Sequence, residues 1–193
     1  MASQHKTFIT PEQYLAMERL ADRKSEYFAG EVFAMAGASE QHITIVSNLT
    51  YLFVSQFKGR PCKTYSSEMK VLVAATGLFT YPDVVIVCAE PVFHDTKRDV
   101  LLNPQVLIEV LSDSTEAYDR GKKFEYYGSI DTITDYVLVS QDRPNVERFE
   151  RQAAQGWHYT RLVGLGSVLE IEAIQCRLML ADVYDKVSPL AAV

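Results

Sequence analysis

The stretch PQVLIEVLSDSTEAYDRGKKFEYY, Pro104 to Tyr127, joins an apolar run typical of a buried β-strand to a charged run typical of a helix. Because side chains alternate along an extended strand, Glu109 shares its face with Leu107 and Leu111, and the opposite face is apolar as well. A lone ionised carboxylate in such surroundings costs several kcal/mol unless it meets a cation or strong hydrogen-bond donors. Glu109 therefore either reaches water or an arginine at a strand end, or belongs to a site that compensates its charge.

A second acid and a lysine raise the same question. Asp83 in YPDVVIVC begins another apolar strand directly after Pro82, although an aspartate at that position can also simply cap a turn. On the helix STEAYDRGKKFEYYGSI, a step of 100° per residue directs Lys123 toward the buried side and Lys122 toward solvent. The alternative for Lys123 is a surface ion pair with Asp119 at the i,i+4 spacing.

Two acids on adjacent central strands and a lysine on the next helix form a set with defined chemistry. Two carboxylates and a backbone carbonyl can hold Mg²⁺, a hard cation that prefers oxygen ligands. Such an ion neutralises both acids and polarises a phosphodiester, and a neighbouring lysine can orient the attacking water or steady the phosphate. The pattern favours metal-dependent hydrolysis.

Composition narrows the class of protein. The 193 residues are 48% hydrophobic and 23% charged, which is typical of one soluble domain. No run approaches the roughly 18 uncharged apolar residues of a membrane span, and the start lacks the pattern of a secretion signal, so we expect a cytoplasmic protein. The net charge of −6 argues against nonspecific polyanion binding. Cys62, Cys88 and Cys176 are odd in number and far apart, which predicts free thiols rather than disulfides or a zinc site.

Elsewhere the patterns predict an α/β class, that is, an α+β fold with a mixed sheet. Thr10 caps an N-terminal helix, Gly30 turns a hairpin, and the longest helix begins at Ser39 and ends at Gly59. The strand candidates are CKTYSSEMKVLVA, YPDVVIVCA and QVLIEVL, with a break at ATGLF and a loop at EPVFHDTKRDVLLNP. After a helix at about 116–128, TDYVLVSQ, NVERFERQ and GWHYTRLV predict an antiparallel meander, and MLADVYDKV a short final helix.

Four of these motifs, in order, carry a resemblance to a known family. The series YPDVVIV, IEVLSDST, YDRGKKFEYY and DYVLVSQDRPNVERFER resembles the “putative restriction endonuclease” family of the PD-(D/E)XK nuclease superfamily, from about Glu26 to Trp157. The resemblance implies one restriction endonuclease-like domain over 1–193, a central mixed sheet flanked by helices, and an N-terminal helix and hairpin at about 8–36 as an appendage. It also implies hydrolysis of DNA with Mg²⁺, for which Mn²⁺ can substitute.

The resemblance assigns roles by position. Asp83 and Glu109 become metal ligands and catalytic residues, with the Val110 carbonyl as a third ligand. Leu111 stands where the short form of the motif has lysine, so the lysine role passes to Lys123 on the following helix.

Three further residues match family positions more loosely. The motif EYFAGEVFAMAG makes Glu31 a catalytic acid at the pocket edge and Glu26 a weaker candidate. His42, near the start of the long helix, either approaches the phosphate or is an ordinary helix histidine. Glu68 in SSEMKV is either an outer acid or an exposed strand residue.

We therefore expect a Mg²⁺-dependent DNA endonuclease that acts as a homodimer and has no membrane partner. A basic rim of Lys122, Arg120 and the meander arginines is expected to grip phosphates. Two alternatives stay open. A noncatalytic nucleic-acid-binding or regulatory module with the same fold would bind no metal, and a metal-free glycosidase with two carboxylates would have no evident need for Lys123.

Overall fold

The computed structural model of the chain describes residues 8–112, 114–153 and 156–190. Its helices are α1 (Pro11–Glu18), α2 (Glu40–Gln56), α3 (Glu116–Tyr118), α4 (Phe124–Gly128) and α5 (Leu180–Val183). A π-helical segment, Asp119–Lys123, joins α3 to α4, and a 3₁₀ turn covers Glu172–Ile174. Within the described ranges, no helix is both long enough and apolar enough to cross a membrane.

The strands follow one another along the chain as thirteen short elements in these ranges. They are β1 (Ser25–Phe28), β2 (Glu31–Ala34), β3 (Lys63–Ser66), β4 (Lys70–Val73), β5 (Leu78–Thr80), β6 (Val84–Val87), β7 (Val100–Leu101), β8 (Val106–Leu111), β9 (Asp135–Ser140), β10 (Asn145–Arg151), β11 (Trp157–Val163), β12 (Val168–Ile171) and β13 (Cys176–Met179).

These strands form a six-stranded sheet, a five-stranded sheet and a small hairpin sheet. The six-stranded sheet has the order β11-β10-β9-β8-β6-β3, the five-stranded sheet the order β2-β1-β5-β4-β7, and β12 pairs with β13. In the larger sheet β8 runs antiparallel to β6 and parallel to β9, so the sheet is mixed. The prediction of a mixed α+β fold is confirmed.

Helix α2 covers one face of the larger sheet. Its N-cap is Ser39, whose side chain accepts the backbone N–H of His42, and its buried residues Ile45, Leu49 and Phe53 pack in one apolar cluster with the sheet. On the opposite face a second cluster joins residues of β8 and β9 to Tyr127 of α4 and to β4 and β5. The central strands are therefore buried on both faces, as their continuous apolar runs predict.

The N-terminal helix and hairpin join the five-stranded sheet. Thr10 and Gln13 form the predicted capping box of α1. Tyr14 of α1, Tyr27 of β1 and Phe79 of β5 pack together in a third apolar cluster. Because β1 pairs with β5 through Tyr27 and Phe79, its neighbour Glu26 points toward the other face of that sheet.

The short strands are where the strand predictions are wrong. CKTYSSEMKVLVA forms two strands in different sheets, because a turn closed by the Met69 N–H, 3.1 Å from the Ser66 carbonyl, redirects the chain between β3 and β4. The break at ATGLF contains the start of β5, the loop that follows β6 contains β7, and β12 and β13 were not predicted. The meander β9-β10-β11 and the final helix α5 match the predictions.

The prediction of three free thiols is wrong for two of them. Cys62 and Cys88 form a disulfide, whereas Cys176 is free and buried. The two bonded cysteines directly continue the antiparallel register of β3 and β6, in which Lys63 lies opposite Val87. Distance along the chain says nothing about such cross-strand neighbours.

Candidate active site

The register of the central strands brings the two predicted acids together. Val84 of β6 lies opposite Ile108 of β8, and one further step along this antiparallel pair places Asp83 opposite Glu109. The Asp83 carboxylate accepts the Val110 N–H at its Oδ2 atom, at 2.7 Å. The acid before β6 thus takes the place of a strand acceptor and is fixed at the end of the sheet beside Glu109.

His42 contacts Asp83 directly. It lies in the first turn of α2, where its backbone N–H donates to the Ser39 hydroxyl at 3.1 Å. Its Nε2 atom is 3.1 Å from Asp83 Oδ2, so an Nε2–H tautomer donates to that carboxylate. The predicted His42 therefore belongs to the same site and restrains one of its acids.

Lys123 lies among three carboxylates. Its Nζ atom is 3.0 Å from Glu109 Oε1, 3.3 Å from Asp119 Oδ1 and 3.6 Å from Glu26 Oε1. The Lys123 side chain is only 8% exposed. We call these four residues, Glu26, Glu109, Asp119 and Lys123, the Lys123 cluster.

Two hydroxyl groups complete the Lys123 cluster. The Tyr127 hydroxyl of α4 donates to Glu109 Oε1 at 2.7 Å. The Thr80 hydroxyl of β5 donates to Glu26 and lies 3.4 Å from the Tyr127 hydroxyl. Side chains from both larger sheets and from the helix between β8 and β9 therefore meet around one ammonium group.

The π-helical segment Asp119–Lys123 carries two members of the Lys123 cluster. π-Helical turns are rare and often occur at functional sites. The Tyr136 hydroxyl of β9 donates to the Asp119 carbonyl at 3.1 Å and ties the segment to the larger sheet. Lys123 points inward, whereas Lys122 on the same segment is exposed, as the helical spacing predicts.

Burial sets the electrostatics of the Lys123 cluster. Burial raises the pKa of Glu109 to about 8, although Lys123 opposes the shift, and the nearby charges of Asp119 and Asp83 add to it. Burial also raises the pKa of Asp119. Burial alone lowers the pKa of Lys123, but Glu109, Glu26 and Asp119 outweigh it and hold that pKa well above its usual value. The three acidic side chains of the Lys123 cluster thus outnumber its one positive charge, the Lys123 ammonium.

The donor set suits a hard divalent cation. Asp119 is buried, and its Oδ1 atom receives no hydrogen bond of acceptable geometry, although it lies at ion-pair distance from Lys123. Carboxylate oxygens and unmatched negative charge are what Mg²⁺ or Mn²⁺ requires. Within the described ranges, however, no three His, Cys, Asp or Glu side chains are arranged so that they could coordinate one metal ion. The carboxylates are the type of ligand that such an ion takes, but the Lys123 ammonium lies between Glu26, Glu109 and Asp119.

The two other predicted acids lie nearer the edges. Glu31 begins β2 opposite Phe28, on the face of the hairpin that carries Glu26. Glu68 lies in the turn after β3, where its largely exposed side chain pairs with Lys24 at 2.9 Å. Of the hairpin acids, the weaker candidate Glu26 is within 3.6 Å of Lys123.

Three arginines of the predicted basic rim are bound within the protein. Arg120 donates to the carboxylates of both Glu116 and Glu147. Arg148 is buried and binds an aspartate, and Arg151 donates to three backbone carbonyls. These guanidinium groups hold the protein together, so a polyanion would find most of their donors already used.

The sequence interpretation missed Asp119 and Tyr127 as site residues. Asp119 was considered only as a surface partner of Lys123, yet it is 2% exposed. The i,i+4 spacing to a lysine was the available signal, and what it lacked was the burial of both residues.

Comparison with known proteins places the chain in a family. Residues 11–181 match the Uma2 family, described as “Putative restriction endonuclease”. Two proteins of Synechocystis sp. (strain ATCC 27184 / PCC 6803 / Kazusa) are similar. “Uncharacterized protein sll1609” is 32% identical over 84% of this chain and 92% of its own, and “Uncharacterized protein slr1290” is 36% identical over 77% of each.

A solved structure has the same fold. The crystal structure of “a putative nuclease belonging to DUF820” from Anabaena variabilis ATCC 29413 superposes with a TM-score of 0.74 at 17% identity. The superposition covers 92% of this chain and 98% of that one. The family match spans most of the chain and the superposition establishes the architecture, so this protein belongs to the Uma2 “putative restriction endonuclease” family and has a restriction endonuclease-like fold.

Proposed function

We propose that this protein is a Mg²⁺-dependent endonuclease that hydrolyses DNA phosphodiester bonds, with Mn²⁺ able to replace Mg²⁺. The observation that carries the proposal is the cross-strand placement of Asp83 opposite Glu109, with Lys123 Nζ 3.0 Å from Glu109. Membership of a family described as “Putative restriction endonuclease” supports the reaction class.

Asp83 and Glu109 are the proposed metal ligands, with the Val110 carbonyl as a third. Two donors, from Val110 and His42, hold Oδ2 of Asp83, so its second oxygen can face a cation. His42 is then a positioning residue that fixes the direction of Asp83 and does not need to reach the phosphate. Bound Mg²⁺ would supply charge stabilisation at the phosphate oxygens and acidify water.

Lys123 is the proposed partner of the phosphate or of the attacking water. Its pKa is held well above the usual value, by Glu109 foremost among the acids that outweigh burial, so it remains an ammonium. An ammonium donates hydrogen bonds and positive charge and cannot accept a proton. Lys123 is therefore proposed to orient water or stabilise developing negative charge. Glu26, 3.6 Å from Nζ, and Glu31, on the same face of the hairpin, are proposed to add negative charge to the site.

The proposed DNA contacts come from exposed cations, because Arg120, Arg148 and Arg151 are bound internally. Lys122 is one such residue. With few phosphate contacts, the affinity for DNA should fall only gently as salt rises. A homodimer would present two sites to a duplex, and sedimentation of the protein with and without DNA measures that assembly.

Cleavage assays test the proposed function. Purified protein is incubated with plasmid and with single-stranded DNA, in Mg²⁺, Mn²⁺ or EDTA, alongside Glu109→Gln and Lys123→Ala. Glu68→Gln is the matched control, because it removes the same charge from a largely exposed acid. We expect cleavage with either metal, none in EDTA, and loss only in the two site variants. Cleavage that persists in EDTA, or in Glu109→Gln, would contradict the proposal.

A further inference from the structure

We infer that Lys123 is the resident cation of this site, and that a divalent metal binds as the Lys123 ammonium leaves its place among the carboxylates. The inference rests on the proposed function, because it concerns the same metal. It adds an order of events. The metal first displaces the lysine, and the displaced lysine then becomes available to the scissile phosphate.

The position of the ammonium is the first observation. Three carboxylates from separate parts of the chain, in β1, β8 and the π-helical segment, converge on Nζ within 3.6 Å. The lysine is buried, and its contacts are with acids rather than with the outside. An ammonium in this position does for the carboxylates what a bound metal ion would do, because it supplies the positive charge that they share.

Sharing of one oxygen is the second observation. Lys123 contacts Oε1 of Glu109, and Tyr127 donates to the same atom. A Mg²⁺ ion bound through Glu109 would lie about 2 Å from a carboxylate oxygen, so the ion and the ammonium would be no more than about 5 Å apart if both used that atom. Two cations at such a distance repel strongly in a buried site. Binding of the metal should therefore expel the ammonium.

The third observation is that the Lys123 side chain is able to move away from the carboxylates. Lysine has a flexible four-carbon stem that can place its head group elsewhere without moving the backbone. Asp119 Oδ1 is 3.3 Å from Nζ as an ion pair without hydrogen-bond geometry, so this contact fixes the direction of the ammonium less strictly than a hydrogen bond would.

Metal titration of matched variants tests the exchange. Lys123→Met keeps the apolar stem and removes the charge, and Lys122→Met makes the same change at an exposed position one residue away. Calorimetric titration with MnCl₂ alone, without DNA, measures the dissociation constant. We expect Lys123→Met to bind Mn²⁺ about 10-fold or more tightly than the wild type, since no ammonium competes. Lys122→Met should match the wild type.

The stability of the same variants gives a second readout. Without metal, Lys123→Met should unfold at a lower temperature than Lys122→Met, because the carboxylates lose their cation. Added Mn²⁺ should raise the unfolding temperature of Lys123→Met more than that of the wild type.

The wild-type protein provides a test that needs no variant, in case Lys123→Met does not fold. Brief acetylation followed by mass spectrometry compares the labelling of Lys123 with that of Lys122. Saturating Mn²⁺ should increase the labelling of Lys123 several-fold and leave that of Lys122 unchanged. The extent of labelling reports directly how exposed the Lys123 amine is to the reagent.

The outcomes separate this inference from the proposed function. Equal Mn²⁺ affinity in the wild type and Lys123→Met, with Lys123 still protected from acetylation when metal is bound, overturns the exchange and leaves the metal site standing. The absence of Mn²⁺ binding in both proteins overturns both proposals.

Discussion

Two buried glutamates in this protein have opposite surroundings. Glu18, at the end of α1, is 8% exposed and accepts hydrogen bonds from the Ser25 N–H, the Ser25 hydroxyl and the Tyr81 hydroxyl at 2.9, 2.5 and 2.7 Å. Glu109 is 4% exposed and accepts one hydrogen bond from a tyrosine, while its cation is shared with two other acids.

This difference in partners distinguishes a structural carboxylate, Glu18, from a candidate site residue, Glu109. Neutral donors of its own satisfy both oxygens of Glu18, and these bonds tie α1 to β1 and to the residue before Pro82. Around Glu109 acids outnumber cations, so the Lys123 cluster is short of positive charge. Buried carboxylates in excess of cations do not stabilise the fold, but they are what a metal-binding site requires.

The largest expected effect is on cleavage in Glu109→Gln. Loss of one charged ligand should reduce the Mg²⁺-dependent rate by on the order of 10³-fold or more. Metal-free stability should not fall, because removing an acid relieves the surplus of carboxylates. Initial cleavage rates and thermal unfolding in EDTA measure the two effects. A variant that cleaves normally but unfolds at a lower temperature than the wild type would make Glu109 a structural residue like Glu18.

A smaller effect is expected at His42, which acts through Asp83. In His42→Ala the carboxylate loses a donor that fixes its direction, and residues of this kind usually change metal affinity by about 10- to 100-fold. Calorimetric titration with Mn²⁺ measures the change. His158→Ala is the control, because His158 is exposed on β11. Unaltered affinity in His42→Ala would place this histidine outside the site.

Glu18→Gln should cost stability and spare the site. A glutamine amide cannot accept from all three donors, so a buried group loses its partner, at about 1–3 kcal/mol of unfolding free energy. Denaturant unfolding measures that loss, and Mn²⁺ affinity should equal that of the wild type. A change in metal affinity with no change in stability would reverse the roles assigned to the two glutamates.

The smallest expected effect is the change in unfolding free energy per pH unit. Because burial raises the pKa of Glu109 from 4.5 to about 8, the folded state keeps a proton that the unfolded state has released between these values. Stability of the metal-free protein is therefore lost as the pH rises through this window. The difference in unfolding free energy, Glu109→Gln minus wild type, should grow by up to about 1 kcal/mol per pH unit. Parallel curves from pH 5 to 8 would indicate an ordinary carboxyl pKa.

Long apolar runs were the part of the fold that the sequence predicted well. β6 and β8 lie in continuous apolar runs of the sequence, and α2 is a long helix with a clear N-cap at Ser39. β5 and β7 are three and two residues long, so their own patterns are too short to indicate a strand. Their structure comes from pairing with β4.

The candidate site divides in the same way. Asp83 and Glu109 stand out because a carboxylate inside an apolar run is costly, a local property of the sequence. Asp119 and Tyr127 do not stand out, because an acid and a tyrosine on a helix are ordinary until their burial is known. Glu26 was judged the weaker hairpin acid, since the pairing of β1 with β5 that directs it was not visible.

The sequence by itself determined which strands carry acids, and it determined that Lys123 rather than Lys122 faces inward. Both follow from periodicity, since neighbouring residues fix the direction of a side chain on a regular strand or helix. Only the tertiary structure decided that Glu26, Glu109 and Asp119 share one ammonium, that Cys62 bonds to Cys88, and that Arg148 and Arg151 are bound internally. Desolvation, Coulomb energy and bond formation depend on distances through space between segments that are remote along the chain.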